Sequence, residues 1–380
     1  MVGALAAVLL CKELPKQDLS IAVVESFDIR TVKFGVNPEL RTSAFSHHSI
    51  ELLKTIGAWQ QINPARHAPY VGLQTWQQRS HALEFNANDI DADYLGHILE
   101  NSLVQQAIWQ VFDEYNIEVI CPARVVSFKR ANDGVIVSLD NEQTIASKLL
   151  VAADGGQSKV RQLASIGTDG WQYAQKCFAI NVQMHDDQEA ITWQEFHPTG
   201  PRAYLPLYDN FASLIWYDSA DTIKELLALK DDKLKARIIE AFPDNLADFT
   251  IIDRAAFPLT RMHAKQYYQD NLVLIGDAAH TINPLAGQGV NLGFKDAEKL
   301  AACIKAGVEQ GRDFYDAQNL KDYQQGRYSH NLLMMSAMDA CYVGFSNEIK
   351  PLSVLRNLAL KVANNAGPIK LNVMKYAMGL

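Results

Sequence analysis

A carboxylate and a glycine-lined loop stand close together between Leu272 and Ala297, in the segment Leu-Val-Leu-Ile-Gly-Asp-Ala-Ala-His-Thr-Ile-Asn-Pro-Leu-Ala-Gly-Gln-Gly-Val-Asn-Leu-Gly-Phe-Lys-Asp-Ala. The run Leu272 to Ile275 has the composition of a buried strand and ends in Gly276-Asp277. A Pro/Gly loop follows, and a helix is predicted to open near Gln288, with Gly293, Ala297, Leu300, Ala301 and Ile304 at helical spacing. An acidic side chain at a strand's end can accept hydrogen bonds from the hydroxyls of a polyol. Gly287 and Gly289 let backbone N–H groups and the positive end of the helix come close to an anionic group.

Two further segments could position such a ligand. Leu149 to Ala153 is an apolar strand that runs into Asp154-Gly155-Gly156-Gln157-Ser158-Lys159-Val160-Arg161, a helix with a glycine-rich entrance. At the N-terminus, the apolar run from Val2 to Leu10 lacks the basic region and cleavage site of a signal peptide and reads as a core helix, with a strand predicted over Leu19 to Glu25. A dinucleotide fingerprint is a strand, then Gly-x-Gly-x-x-Gly, then an acidic residue about 20 positions on for the ribose. Gly3 therefore reads as the last glycine of that fingerprint and Glu25, 22 positions later, as the ribose acid. The expectation is that the first strand and first two glycines lie upstream of Met1. A chain starting at Met1 would then hold its nucleotide poorly: the turn that supplies N–H groups to the pyrophosphate is absent and neighbouring strands keep unpaired edges.

Composition narrows the rest. With 380 residues and 48% hydrophobic content the chain can build two domains around a sizeable core. A net charge of -8 and the lack of zinc-finger or RNA-binding spacings argue against nucleic acid as a partner. Cys11, Cys121, Cys177, Cys303 and Cys341 are scattered singly, which gives no metal or dithiol motif and fits a reducing cytoplasm. No apolar run reaches the roughly 18 to 20 residues of a membrane span. A second Gly-x-Gly-x-x-Gly is also missing, so a nicotinamide donor would have to dock transiently, without a domain of its own.

Gly276-Asp277-Ala278-Ala279-His280 with the loop from Pro284 to Gly293 resembles the second flavin motif of the para-hydroxybenzoate-hydroxylase-like FAD monooxygenases, and Asp154-Gly155 with Ser158 and Arg161 looks like their Asp-Gly motif. The resemblance implies an α/β fold: a Rossmann-like FAD-binding domain lacking its first strand, interleaved with an antiparallel-sheet substrate domain and followed by a helical C-terminus. The corresponding ranges are 1–69, 97–168 and 256–335 for FAD, 70–96 and 169–255 for substrate, and 336–380 for the helical end. It also implies that Gly276 and Asp277 hold the ribityl chain, that Asp154 and Gly155 order the turn at the pyrophosphate, and that Arg41 reaches the flavin. Pro284, Gly287, Gln288, Gly289, Val290 and Asn291 would flank the flavin ring. Gln105, four residues after Asn101 on one helix face, is carried over too; many flavin hydroxylases have arginine where Asn101 stands.

Between the motifs, Cys177 to Met184, Ala203 to Leu207 and Ala212 to Tyr217 alternate like strands of an antiparallel sheet. Trp171, Tyr173, Trp193, Phe196, Tyr204, Tyr208, Trp216 and Tyr217 crowd this region and together suit an apolar wall for a quinol ring and prenyl chain. Trp-Gln-Tyr-Ala-Gln at 171 to 175, Thr-Trp-Gln-Glu-Phe at 192 to 196, Gly-Pro-Arg-Ala-Tyr-Leu-Pro-Leu at 200 to 207 and the ending Lys-Tyr-Ala-Met-Gly-Leu resemble the ubiquinone-biosynthesis hydroxylases, nearest the branch acting on a demethoxy-quinol. That implies hydroxylation of a prenylated benzoquinol with O2 and NAD(P)H through a flavin hydroperoxide, in company with other proteins of the same pathway. Pro284 would shape the oxygen pocket, and His280, His197 and Tyr204 are candidates for deprotonating a substrate hydroxyl. The alternatives are another FAD hydroxylase of that pathway, or an inactive truncated paralogue serving as a scaffold. Lys350, Arg356, Lys361, Lys370 and Lys375, with no acidic residue from 350 to 380, make a basic amphipathic tail suited to the surface of the inner membrane or to packing on the body.

Overall fold

The computed structural model describes all residues except 18, 80–81, 245, 284–288, 347–355, 358–359, 365–366, 368–369 and 371–380. The chain opens with α1 (Val2–Glu13), β1 (Ala22–Val24), β2 (Thr42–Ser46), α2 (His47–Thr55), β3 (Ala68–Tyr70), β4 (Gly72–Trp76), β5 (Leu83–Asn86), β6 (Gly96–Glu100) and α3 (Asn101–Gln110). It continues through β7 (Glu118–Ile120), β8 (Val125–Ala131), β9 (Gly134–Leu139), β10 (Thr144–Ser147), β11 (Leu150–Ala152), α4 (Lys159–Leu163), β12 (Thr168–Met184), β13 (Ile191–Glu195), β14 (Arg202–Pro206) and β15 (Phe211–Ser219). The last stretch comprises α5 (Ala220–Ala228), α6 (Asp231–Ala241), β16 (Phe249–Ala264), β17 (Tyr268–Gln269), β18 (Leu272–Leu274), β19 (His280–Thr281), α7 (Gly289–Glu309) and α8 (Ala317–Phe345).

Helix α1 is buried all round from Ala4 to Leu10, which is why its sequence is apolar without periodicity. It lies on α7, and the two share one core with β11, β18 and α3. Strands β11 and β18 pair in parallel, Leu150 opposite Leu272 and Ala152 opposite Leu274, while β1 pairs in parallel with β7. Each of β1 and β11 has a strand on one edge only among the described residues. The β1 strand is shorter than expected, Ala22–Val24 in place of 19–25.

An eight-stranded sheet in the order β19-β16-β12-β15-β14-β13-β4-β5 forms the second layer; it is antiparallel except at β13 and β4. Side chains alternate across it. Phe178, Ile180, Val182, Leu214 and Trp216 face Ile223 and Leu226 of α5 and Leu234 and Ile238 of α6. Cys177, Tyr217 and Leu259 face the other way, against Tyr342 of α8. Asn181 shares this second face and donates to the carbonyls of Pro38 and Glu39, tying the sheet to the loop before β2. The expected domain boundaries do not coincide with element ends: β16 runs unbroken through 255 and 256, β19 joins the large sheet, and α8 passes through 335 and 336. Of the basic tail, only 356–357, 360–364, 367 and 370 are described. There Arg356 donates to Gly344 and Gln77, and Asn364 accepts from the Glu84 N–H, so these parts lie on the body. No helix among the described residues is long and apolar enough to cross a membrane.

The β2-β6-β3 sheet bears a buried histidine whose titration opposes folding in acid. His97 on β6 is 6% exposed, lies 4.6 Å from the Tyr94 ring and 5.0 Å from Trp59, and its Nδ1 has no partner. Burial, reinforced by the charges of His67 and Lys54, pushes its pKa down to about 3. In the unfolded chain the ring takes up a proton below about pH 6.5, while in the folded chain it stays neutral, so stability falls as pH drops through that range. Chemical denaturation at about pH 7.5 and about pH 5 is expected to show a smaller acid loss in His97→Gln than in the wild type.

Candidate functional site

The strand β18 ends in a 3-10 turn over Gly276–Ala278, entered by Gly276 at φ +57, a left-handed conformation open to glycine. A Cβ there would also press on Val2 at 3.2 Å. Two clamps hold the turn. Asp296 of α7 accepts the Gly276 N–H at 3.0 Å, and Arg161 of α4 donates to the Ala278 carbonyl at 2.7 Å. Between them stands Asp277, solvent-accessible, with no hydrogen-bond donor on its carboxylate among the described residues. Its pKa is nevertheless raised, above all by loss of solvent, against the lowering pull of His280 and Arg41. Accessibility and desolvation together describe a carboxylate lining a cleft.

Several of the other expected cofactor residues connect to this turn. Arg161 also donates to the Gly156 carbonyl, joining the Asp154-Gly155 turn to the Gly276–Ala278 turn. Asp154 accepts the Val160 N–H at 3.1 Å and Ser158 that of Arg161, which together cap α4; Gly155 sits at φ +83. Gly3, in the first turn of α1, backs on β11 so closely that a Cβ would meet the Ala153 Cβ at 2.9 Å. Glu25 follows β1 and accepts only from the N–H and hydroxyl of Ser26 among the described residues. Arg41 is exposed, its guanidinium 5.6 Å from the Phe257 ring. The Asn101 N–H binds the Arg41 carbonyl, and among the described residues the buried Asn101 Oδ1 has no partner and the Gln105 side chain makes no hydrogen bond. Gly289 and Val290 begin α7. Pro284, Gly287 and Gln288 lie outside the described residues.

These groups fit FAD. An unpaired carboxylate at Asp277 suits a polyol arm, the orphaned amide of Asn101 and the idle one of Gln105 suit a polar ring edge, and the tight glycine contacts bring helix ends near an anion. Asn291 is the exception. Its side chain accepts from the Ser46 N–H and the Ser49 hydroxyl and donates to the Ala44 carbonyl, stitching α7 to β2 and α2.

Two of the candidate bases, His280 and Tyr204, are corrected by their surroundings, while His197 is partly exposed and paired with a carboxylate. His280 is 1% exposed and donates from Nε2 to Asp296 at 2.5 Å, so it belongs to a buried network and meets no substrate. His197 is bound to Glu195 at 2.7 Å just beyond β13. Tyr204 stacks on Trp193 on the face covered by α5 and α6 and donates to Gln188. Its position in the alternation turns it away from the cofactor layer. The same rule divides the aromatic crowd: Trp193, Tyr204 and Trp216 lie in the α5/α6 core, Tyr208 under Arg66, and Phe196 against Phe345, leaving Tyr173 and Tyr217 on the α8 side.

Sequence reasoning names Trp171, Tyr173 and Tyr217 there but missed their polar partners Arg261, Asp339 and Asn283. Tyr173 donates to Asp339 of α8 at 2.5 Å, Arg261 of β16 donates to the other carboxylate oxygen at 2.5 Å, and the Arg261 guanidinium covers Trp171, 49% exposed. Beside Tyr173, on whose hydroxyl its amide acts, Asn283 is 1% exposed, and neither amide atom makes a hydrogen bond of good geometry among the described residues. Phe257, Tyr217, Met338 and Tyr342 complete an apolar wall. Asp296, Arg327 and Asn331 were missed too, although each interrupts an otherwise apolar buried helix stripe, and that was the signal available.

Comparison with known proteins agrees with this geometry. The family model described as "FAD binding domain" matches residues 2–331. The chain is 40% identical over 379 residues to 3-demethoxyubiquinol 3-hydroxylase of Escherichia coli, covering 100% of this chain and 97% of that protein. It is 31% identical over 383 residues to ubiquinone hydroxylase UbiL of Rhodospirillum rubrum, covering 99% and 88%. Among solved structures, p-nitrophenol 4-monooxygenase PnpA of Pseudomonas putida shares the fold, with TM-score 0.78 at 20% identity over 99% of this chain and 94% of that one. A glycine-cradled turn with a free carboxylate, joined to a family match over most of the chain, identifies it as a member of the FAD-binding family of flavin-dependent monooxygenases.

Proposed function

We propose that this monooxygenase hydroxylates the quinol ring of a prenylated ubiquinone precursor, with NAD(P)H as transient electron donor. The observation that carries the reading is Arg41, whose charge acts on the accessible Asp277 carboxylate and whose guanidinium lies 5.6 Å from Phe257 of the apolar wall. The names of the relatives supply the substrate class. FAD, when bound, supplies activation of dioxygen and transfer of one oxygen atom to an electron-rich ring.

The chain's own residues would do the rest. Asp277 would accept hydroxyls of the cofactor's polyol arm, and the first N–H groups of α7 would offer positive charge to the anionic cofactor. Phe257, Tyr217 and Met338 exclude water and hold the quinol face. Tyr173 has its proton committed to Asp339, so its oxygen lone pairs are left to accept a hydrogen bond from a quinol hydroxyl, which enriches the ring where oxygen is added. Asn283 offers an amide to a second oxygen of the ring.

Incubation with a demethoxy-quinol analogue, NAD(P)H and O2 is expected to give a product heavier by one oxygen atom, and its absence from flavin-loaded protein would sink the reading. Asp277→Ala is expected to weaken flavin retention, read as absorbance in the flavin band, by about 10- to 100-fold, the worth of hydrogen bonds to a charged group. Tyr173→Phe is expected to keep flavin and lower kcat/KM about tenfold, the loss of one substrate hydrogen bond. The tail from 350 to 380 is proposed to bring the enzyme to anionic membrane carrying its substrate: liposome co-sedimentation should fall when it is deleted, and unchanged sedimentation removes the role.

A further inference from the structure

Asp277 makes no side-chain hydrogen bond of its own among the described residues, so what aims its carboxylate must act through its neighbours. Gly276 and Ala278 are each pinned by a charged side chain, and the clamp on Gly276 is the more deeply built. Asp296 is 0% exposed and takes four donors. Its Oδ2 accepts from the Gly276 N–H at 3.0 Å and His280 Nε2 at 2.5 Å; its Oδ1 accepts from Arg327 Nε at 2.6 Å and Asn331 Nδ2 at 3.1 Å. One carboxylate oxygen thus holds the strand end and the other holds α8. A buried carboxylate survives only when its lone pairs are saturated, and here both sides of the saturation are structural elements that would otherwise be free to shift. The network runs on: Arg327 donates to Asn331 at 2.6 Å and to the Leu292 carbonyl, and Asn331 donates to the Tyr267 hydroxyl, itself bound to His263 at 2.8 Å.

We infer that Asp296 is a positioning residue for the cofactor grip: anchored on α8 by Arg327 and Asn331, it fixes Gly276 and His280 and so sets where the Asp277 carboxylate stands. The inference rests on the reading of Asp277 as the polyol acceptor, and the experiment separates the two. The full chain is prepared as wild type, Asp296→Asn, Asp277→Asn and the double variant, each checked for cooperative unfolding, then titrated with FAD. Amide exchange over 276–280 is measured without FAD.

Asp296→Asn is expected to speed exchange over 276–280 about tenfold, as local opening becomes easier. It is expected to raise the FAD dissociation constant about tenfold, and the double variant to bind no worse than Asp277→Asn within about twofold, because the two residues act in series. A merely destabilising effect would multiply with the Asp277 change. If Asp277→Asn binds FAD as the wild type does, the polyol reading fails. If Asp277→Asn is weakened while Asp296→Asn leaves exchange and affinity unchanged, or if the two effects multiply, the positioning role is overturned. Should Asp296→Asn fail to fold, Asn331→Ala removes one donor of the four; about threefold weaker FAD binding that does not multiply with Asp277→Asn supports the inference, and unchanged or multiplying affinity overturns it.

Discussion

Everything near the Gly276–Ala278 turn depends on a charge that has no contact with water. Asp296 sits in the seam between β18, α7 and α8, where desolvation alone would drive its carboxyl toward the neutral form. His280 and Arg327 outweigh that penalty and hold its pKa down to about 2. A buried ion pair of this kind contributes little net stability compared with an apolar replacement, but removing one partner leaves an uncompensated charge, so the arrangement specifies geometry more than it stabilises. That specification is what the site needs: a strand end, a helix N-terminus and a second helix must meet within hydrogen-bond distance for the Gly276–Ala278 turn to keep its left-handed entry.

The large sheet solves a different problem, that of presenting a partly apolar face toward α8 while keeping its own core. Alternation along β12, β14 and β15 sends one set of side chains under α5 and α6 and the other toward α8 and the loop before β2. Burial of residues such as Phe178, Leu214 and Trp216 at roughly 1.5 to 3 kcal/mol each stabilises the sheet from behind. The front face can then carry partly polar groups, Asn181 and Tyr173, whose partners come from the cofactor layer and from α8.

The parts legible in the sequence were those set by local periodicity and backbone geometry. The strand at 272 to 274, the helix from 289, the Asp154-Gly155 turn with its Ser158 cap and the buried first helix all follow from short-range rules, and the structure has each of them. Sheet alternation was legible in principle, yet the aromatics were grouped by proximity in sequence, and a shift of one residue moves a side chain to the opposite face, as Trp216 and Tyr217 show. His280, a candidate base, already reads as structural from its place at the motif strand end, but the partner that seals it lies 16 residues on, across a loop. Asp339, 78 residues after Arg261 and 166 after Tyr173, could be joined to them only by the fold.

The helix α8 therefore carries two duties along one length. Near its middle, Arg327 and Asn331 hold Asp296 and through it the turn that presents Asp277. Three turns later, Asp339 holds Tyr173 and Arg261 on the substrate wall, with Tyr342 packed on the Tyr173 ring at 5.0 Å. A helix is stiff over such a distance, and both attachments are charged and largely buried, so a shift of α8 that strains one strains the other. The Gly276–Ala278 turn and the wall around Tyr173 are thus built to one geometric standard, which accounts for the charged residues placed on the inward stripe of a helix whose outward face, with Leu333 exposed, is free of that constraint.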